Sequence, residues 1–192
     1  RDAYANGAIW TNRDYVNPGT RSAAAGGGAF KCYMNSSATN DPSWVDSAMR
    51  STLRSTFWGY LPAEVRSAIV GVDKYHQLDG GATDVYLDKR SYETVWLPSM
   101  YEVFGTTFAN YNEAERLSAK GNMPFQYMAY QGNAGSDTNV KAIKCFNGSS
   151  VFWWLRGDYQ ANRITFCSVT PFGIRDYSAA LYTFGVLPAF CL

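Results

Sequence analysis

The chain has 192 residues, a formal net charge of +1, 17% charged residues and 16% aromatic ones. That length suits one domain around one good core, and the aromatic content argues against disorder. A near-neutral balance with no basic block leaves no electrostatic footprint for nucleic acid, and no apolar run approaches the length that spans a bilayer.

Arg1 to Ala29 is rich in Ala, Gly and Asn, with Pro18-Gly19 and Gly26-Gly27-Gly28 as breakers, and reads as an arm or connector over residues 1–29. The domain proper is expected over residues 30–192, beginning with a strand at Lys31-Cys32-Tyr33-Met34. Asp41-Pro42 offers an N-cap followed by a first-turn proline. Trp44, Val45, Ala48, Met49, Thr52, Leu53 and Phe57 then recur at helical spacing, with Gly59 placed to cap the C-terminus. Such a stripe belongs to a core. Pro62-Ala63-Glu64 opens a short helix to about Ile69, and Ile69 to Tyr75 alternates as a strand. Gly80-Gly81 marks a turn, and Thr94-Val95-Trp96-Leu97 reads as a buried strand stopped by Pro98. Ser99 is placed to cap a short helix at Met100–Phe104, a second helix is expected over Tyr111–Lys120, and Gln131–Asn139 reads as a loop. Ser150 to Leu155 is a strand apolar on both faces, Phe166–Val169 another, and Gly173 closes a turn after Pro171-Phe172. Helices early, short strands late and much irregular chain give an α+β class.

Catalytic candidates are few. The lone histidine, His76, has no second histidine with which to build a zinc site, and no serine lies in a nucleophile-elbow context. Asp79, Asp84 and Asp88 have a spacing that matches no calcium loop. Cys32, Cys145, Cys167 and Cys191 lack metal-type spacing; Cys167 and Cys191 have the apolar neighbours of buried free thiols, with Cys32–Cys145 and Cys167–Cys191 as the alternative disulfides. The expectation is a protein that is not an enzyme and uses no metal or cofactor.

The last forty residues carry the rest of the argument. Apolar ends at Phe152-Trp153-Trp154-Leu155 and Gly185-Val186-Leu187-Pro188-Ala189-Phe190 bracket a stretch that, from Ala161 to Phe184, holds no Lys, Glu, Gln, Met or Trp. Tyr with Ser, Gly and Asn is the mixture that binding loops favour, because Tyr brings amphipathic contact area at low entropic cost. Arg156, Arg163, Arg175, Asp158 and Asp176 are many charges for a core, so a recognition face is the better reading.

The pattern WWLRG … TFCSV … FG … GVLPAFCL resembles the C-terminal signature, WWLRS … FC-V … G … GV-PAF, of C-type-lectin-fold variable proteins of diversity-generating retroelements. Val95–Gly105 is similar to that family's middle segment and Ser47–Leu53 to its early helix, so the resemblance spans about residues 26–192. Gly157 departs from the family's usual Ser. The resemblance implies a C-type lectin fold, with variable residues on one exposed face built by the last strands and loops. Such systems replace template adenines, and an AAY codon scattered in this way never yields Lys, Glu, Gln, Met or Trp.

The residues that obey this restriction, and form the expected ligand-binding face at about 157–184, are Gly157, Asp158, Tyr159, Asn162, Arg163, Ile164, Thr165, Ser168, Thr170, Phe172, Ile174, Arg175, Asp176, Tyr177, Leu181, Tyr182, Thr183 and Phe184. Tyr159, Phe172, Tyr177, Tyr182 and Phe184 would be its aromatic anchors, held by a frame of Trp153, Trp154, Leu155, Val169, Val186, Pro188 and Phe190. The implied function is receptor binding on a phage virion, or on a bacterial surface, with a cell-surface protein or other surface ligand as partner. A homotrimer would add avidity. The alternatives are a fixed structural or decoration module and a calcium-dependent sugar-binding lectin.

Overall fold

A computed structural model describes residues 33–35, 44–76, 89–104, 138–146, 149–158 and 164–192. The expectations for the arm at 1–29, the Asp41-Pro42 cap, the Gly80-Gly81 turn, the Tyr111–Lys120 helix and most of the Gln131–Asn139 loop lie outside the described residues, as do Asp79, Asp84 and Asp88. The expected first strand is described only at its end, where Met34 and Asn35 both donate their N–H to the carbonyl of Ala180.

A 3-10 turn at Trp44–Asp46 leads into helix α1 (Ala48–Thr52), which continues through a π-helical stretch at Leu53–Phe57 to a final turn at Trp58–Tyr60. The N-cap is Ser47, whose hydroxyl accepts from the Arg50 N–H, while Asn35 Oδ1 accepts from the Ala48 N–H. Two of the orphan donors at the helix start are thereby satisfied. Met49, Leu53 and Phe57, spaced four apart, form the buried stripe. Gly59 does not cap this helix. It sits inside the last turn, and the extended Leu61 ends the helix instead. Helix α2 (Ala63–Ala68) follows and has no buried residue.

Strands β1 (Val72–His76) and β2 (Lys89–Glu93) form an antiparallel pair, from Val72 opposite Glu93 to His76 opposite Lys89. The strand expected at Thr94–Leu97 is instead irregular chain after β2, buried from Val95 to Leu97 and bridged to Ala189 at Trp96. An apolar run bounded by proline suits either state, and burial alone does not distinguish them. Helix α3 (Met100–Phe104) has the capping box that Ser99 promised. The Ser99 hydroxyl accepts from the Glu102 N–H, and Glu102 Oε2 accepts from the Ser99 N–H.

After a 3-10 turn at Val140–Ala142 come the paired strands β3 (Lys144–Phe146) and β4 (Ser149–Val151). The expected Ser150–Leu155 strand breaks at Phe152 into β4 and β5 (Trp153–Asp158). Strands β5, β6 (Thr165–Val169) and β7 (Arg175–Ala179) form one antiparallel sheet in that order. The C-terminal chain stitches the parts together. Gly185 bonds to Trp154 and Phe152, Ala189 exchanges two hydrogen bonds with Trp96, and Val70 bonds to Cys191.

Register sets the sheet's two faces, because directly paired residues project to the same side. Trp153, Val169 and Arg175 are aligned on one face, and Trp154, Ser168 and Asp176 on the other. The first face packs on Met100, Val103, Phe104 and Ala142. The second packs on Trp44, Met49, Leu53, Phe57, Trp96 and Val186. The protein is therefore α+β, with short antiparallel strands and apolar side chains on both sides of its C-terminal sheet.

Candidate recognition hairpin

Strand β6 is buried at every residue, and the chain leaves it through a turn made by particular atoms. Thr170 receives the Gly173 N–H on its carbonyl and gives its own N–H to Ile174. Its Oγ1 accepts from the N–H groups of Phe172 and Ile174, a local side-chain bond that replaces backbone partners at the tip. Gly173 has φ +73°, and a Cβ there would lie 2.3 Å from the Asn139 carbonyl oxygen. Asn139 in turn donates its backbone N–H to the Gly173 carbonyl, and its side-chain amide reaches the Val103 carbonyl at 3.0 Å. Gly173→Ala is expected to destabilise the domain by about 1–3 kcal/mol, through a left-handed φ and a backbone collision together. A chemical-denaturation midpoint checks this; an unchanged midpoint would show that the Asn139 turn gives way freely.

Out of this anchored turn stand exposed large apolar residues. Phe172 is 72% exposed, Ile174 39%, Tyr177 43% and Tyr182 41%. Tyr182 is the outer member of an aromatic row, its ring 6.0 Å from Phe184, which lies 4.9 Å from Phe152 and 4.5 Å from Trp154. Thr170, Arg175, Asp176 and Leu181 are half-buried beside them, as is Ile164 before β6.

The rest of the expected face divides. Tyr159, Asn162 and Arg163 lie outside the described residues, and of Asp158 only the backbone, paired with Phe166, is described. Gly157, Thr165, Ser168, Thr183 and Phe184 are buried. Phe184 is a core ring over Trp154, not an anchor for ligand. Ser168 is covered between β5 and β7, and its hydroxyl has no hydrogen-bond partner among the described residues. These five residues are corrected from the face to the interior, because β6 is the central strand and the Phe184 segment packs back on β5. A single exposed face is also corrected. Arg175 and Tyr177 project to one side of β7 and Asp176 and Ser178 to the other, as the two-residue period requires.

Arg156, counted among the charges that favoured a face, is fully buried. The pairing of β5 with β6 slips between Trp154 and Asp158, where β5 spends two more residues than its partner. In that bulge the Arg156 N–H bonds to Pro98 instead. Its guanidinium reaches the Leu97 carbonyl at 2.9 Å and Glu102 Oε2 at 2.5 Å, while Lys74 Nζ holds Glu102 Oε1 at 2.8 Å and lies over the Trp96 ring. Burial pushes the Glu102 carboxyl up, but the charges and hydrogen bonds of Arg156 and Lys74 outweigh it and hold the group at about 2. A second buried carboxylate, Glu93, takes Arg50 at 2.6 Å together with Trp44 and Ser91. Sequence reading missed both pairs; the only signal for Glu102 was its place three residues after Ser99.

Cys145, Cys167 and Cys191 form no disulfide, so Cys167 and Cys191 are not paired with each other, and Cys32 lies outside the described residues. Cys167 is buried as expected, whereas Cys191 is exposed. Among the described residues no group of three or more His, Cys, Asp or Glu is placed to hold a metal ion, and no helix is long and apolar enough to cross a membrane.

A family model described as a domain of unknown function, DUF6273, matches residues 13–192. The chain belongs to the DUF6273 family. No curated protein and no solved structure matches it. The DUF6273 match covers the hairpin, the buried Glu102–Arg156 pair and the C-terminal chain that stitches the sheet, so all three belong to one family unit.

Proposed function

We propose that this DUF6273 domain is a ligand-recognition module with a C-type lectin fold, related to the variable proteins of diversity-generating retroelements, and that the β6–β7 hairpin and the turn after it are its binding surface. One observation carries the reading: Phe172, Ile174, Tyr177 and Tyr182 stand exposed within eleven residues, on a strand pair whose inner member is wholly buried. Aromatic side chains held by a rigid frame lose little entropy on binding, and such residues dominate interface energetics. The domain acts on a virion or bacterial surface, engages a cell-surface protein or other surface ligand, performs no catalysis, and gains avidity as a homotrimer.

The test uses fluorescently labelled domain and bacterial cells from its own source community. Tyr177→Ala is expected to weaken cell binding by about tenfold or more, while the melting temperature moves by only a few degrees. Unchanged binding would remove Tyr177 from the surface, and a large loss of melting temperature would make it structural.

The burial of Gly157, Thr165, Ser168, Thr183 and Phe184 supports a second reading, a fixed structural or decoration module. Under that reading the exposed hairpin residues are as constant in the source population as the core tryptophans.

A further inference from the structure

Three N–H groups of the hairpin tip end on one residue. Thr170 accepts the Gly173 N–H on its carbonyl at 3.0 Å, closing a four-residue turn. Its Oγ1 accepts the N–H groups of Phe172 at 3.3 Å and Ile174 at 3.1 Å. Pro171, the remaining residue of the turn, has no N–H to place. The base of the turn is held separately. Asn139 gives its N–H to the Gly173 carbonyl at 2.8 Å, and its side chain is fastened to the Val103 carbonyl and the Lys141 N–H. At the outer end the Phe172 N–H is held by Thr170 Oγ1, and the Phe172 side chain stands 72% exposed.

Building on the recognition reading above, we propose that Thr170 is a positioning residue of the binding surface: its side-chain oxygen sets the direction of Phe172, and ligand is met by Phe172 rather than by Thr170. Thr170 is half-buried at the foot of the turn. A hydroxyl oxygen has two lone pairs, and here both are taken by backbone N–H groups, so it has no acceptor capacity left for a ligand. An N–H at an exposed tip that loses this acceptor finds water, so folding changes little. The peptide units on either side of Phe172 then gain freedom that a ligand must remove again, so binding bears the cost. The restraint needs an oxygen near Cβ. Ser, Asp and Asn carry one that bonds to N–H groups further along the chain, whereas Val, Ile and Ala do not. All four oxygen-bearing choices lie within the restricted alphabet of this stretch, so the turn survives exchange among them.

The test compares Thr170→Val, which keeps the branched shape and removes the oxygen, with Thr170→Ser, which keeps the oxygen. In the free domain, amide exchange at Phe172 and Ile174 is expected to be several-fold faster in Thr170→Val and close to wild type in Thr170→Ser. Binding of the labelled domain to source cells should weaken about tenfold in Thr170→Val, the cost of fixing about one residue's backbone again, and persist in Thr170→Ser. The melting temperature should move by only a few degrees in both. In a Phe172→Ala background, Thr170→Val should weaken binding no further, because the residue acts through Phe172. Unchanged amide exchange with weakened binding would make Thr170 a direct contact and overturn the inference. Equal losses in the Val and Ser variants, or a full further loss in the Phe172→Ala background, would overturn it too. The two readings fail separately. If Tyr177→Ala weakens cell binding while Thr170→Val does not, the recognition surface stands without this positioning residue; if neither substitution matters, both readings fall.

Discussion

Glu102→Ala is expected to cost the domain about 3–5 kcal/mol, because it strands a fully buried guanidinium. The substitution also removes half of the Ser99 capping box and the α3 carboxylate that holds Lys74 of β1. A urea midpoint lower by more than about 1 M is the corresponding readout. The double replacement Glu102→Leu with Arg156→Met should recover most of the loss, since a buried pair exchanged for apolar groups of similar volume is often neutral.

The pair also fixes a pH dependence. Glu102 titrates at about 2 when folded against 4.5 ordinarily, so the folded state holds fewer protons between those values. Its stabilisation is complete above pH 4.5 and is lost as the pH falls toward 2, in total about 3 kcal/mol at 1.36 kcal/mol per unit. The Glu102→Ala protein should lack that component of its acid transition. A cost below about 1 kcal/mol, or an unchanged acid transition, would show that the pair contributes little beyond its own desolvation.

Trp154→Ala is the second large effect, about 3–5 kcal/mol from transfer and cavity terms combined. Trp154 is wholly buried, packs its ring at a tilt against Phe184, and gives its backbone N–H to the Gly185 carbonyl, so its loss loosens β5 from the C-terminal chain and undermines Tyr182 behind its aromatic row. A fall of about 10 °C or more in melting temperature is expected. Binding to source cells should fall with the folded fraction, in contrast to Tyr177→Ala, which removes binding alone. A melting temperature within a few degrees of wild type would mean that Trp154 is not part of the frame.

How far the sequence showed this depended on whether a signal was local. The Ser99 cap, the Met49–Leu53–Phe57 stripe, β6 and the Gly173 turn all rest on neighbouring residues, and each was legible. The Thr94–Leu97 segment misled because an apolar run is compatible with strand or irregular core, and only the distant Ala189 decides its pairing. Arg156 misled in the opposite sense. Charge argued for solvent, but a bulge in β5 turned it toward a carboxylate 54 positions away.

At the candidate site the compositional signal located a stretch and could not resolve its sides. Ser168 and Tyr177 both fit the same restricted alphabet, yet one lies under the sheet's neighbours and the other in solvent, because β6 is central and β7 follows the turn.

The most direct test of the recognition reading is deep sequencing of this locus in a population of its source, with substitutions tallied by codon. The account predicts that changes concentrate at Phe172, Ile174, Arg175, Asp176, Tyr177, Leu181 and Tyr182, fall at adenines of a nearby template repeat, and spare Trp154 and Phe166. If the codons for Phe172, Tyr177 and Tyr182 are as constant as those for Trp96 and Trp154, the diversified hairpin is contradicted and a fixed structural role takes its place.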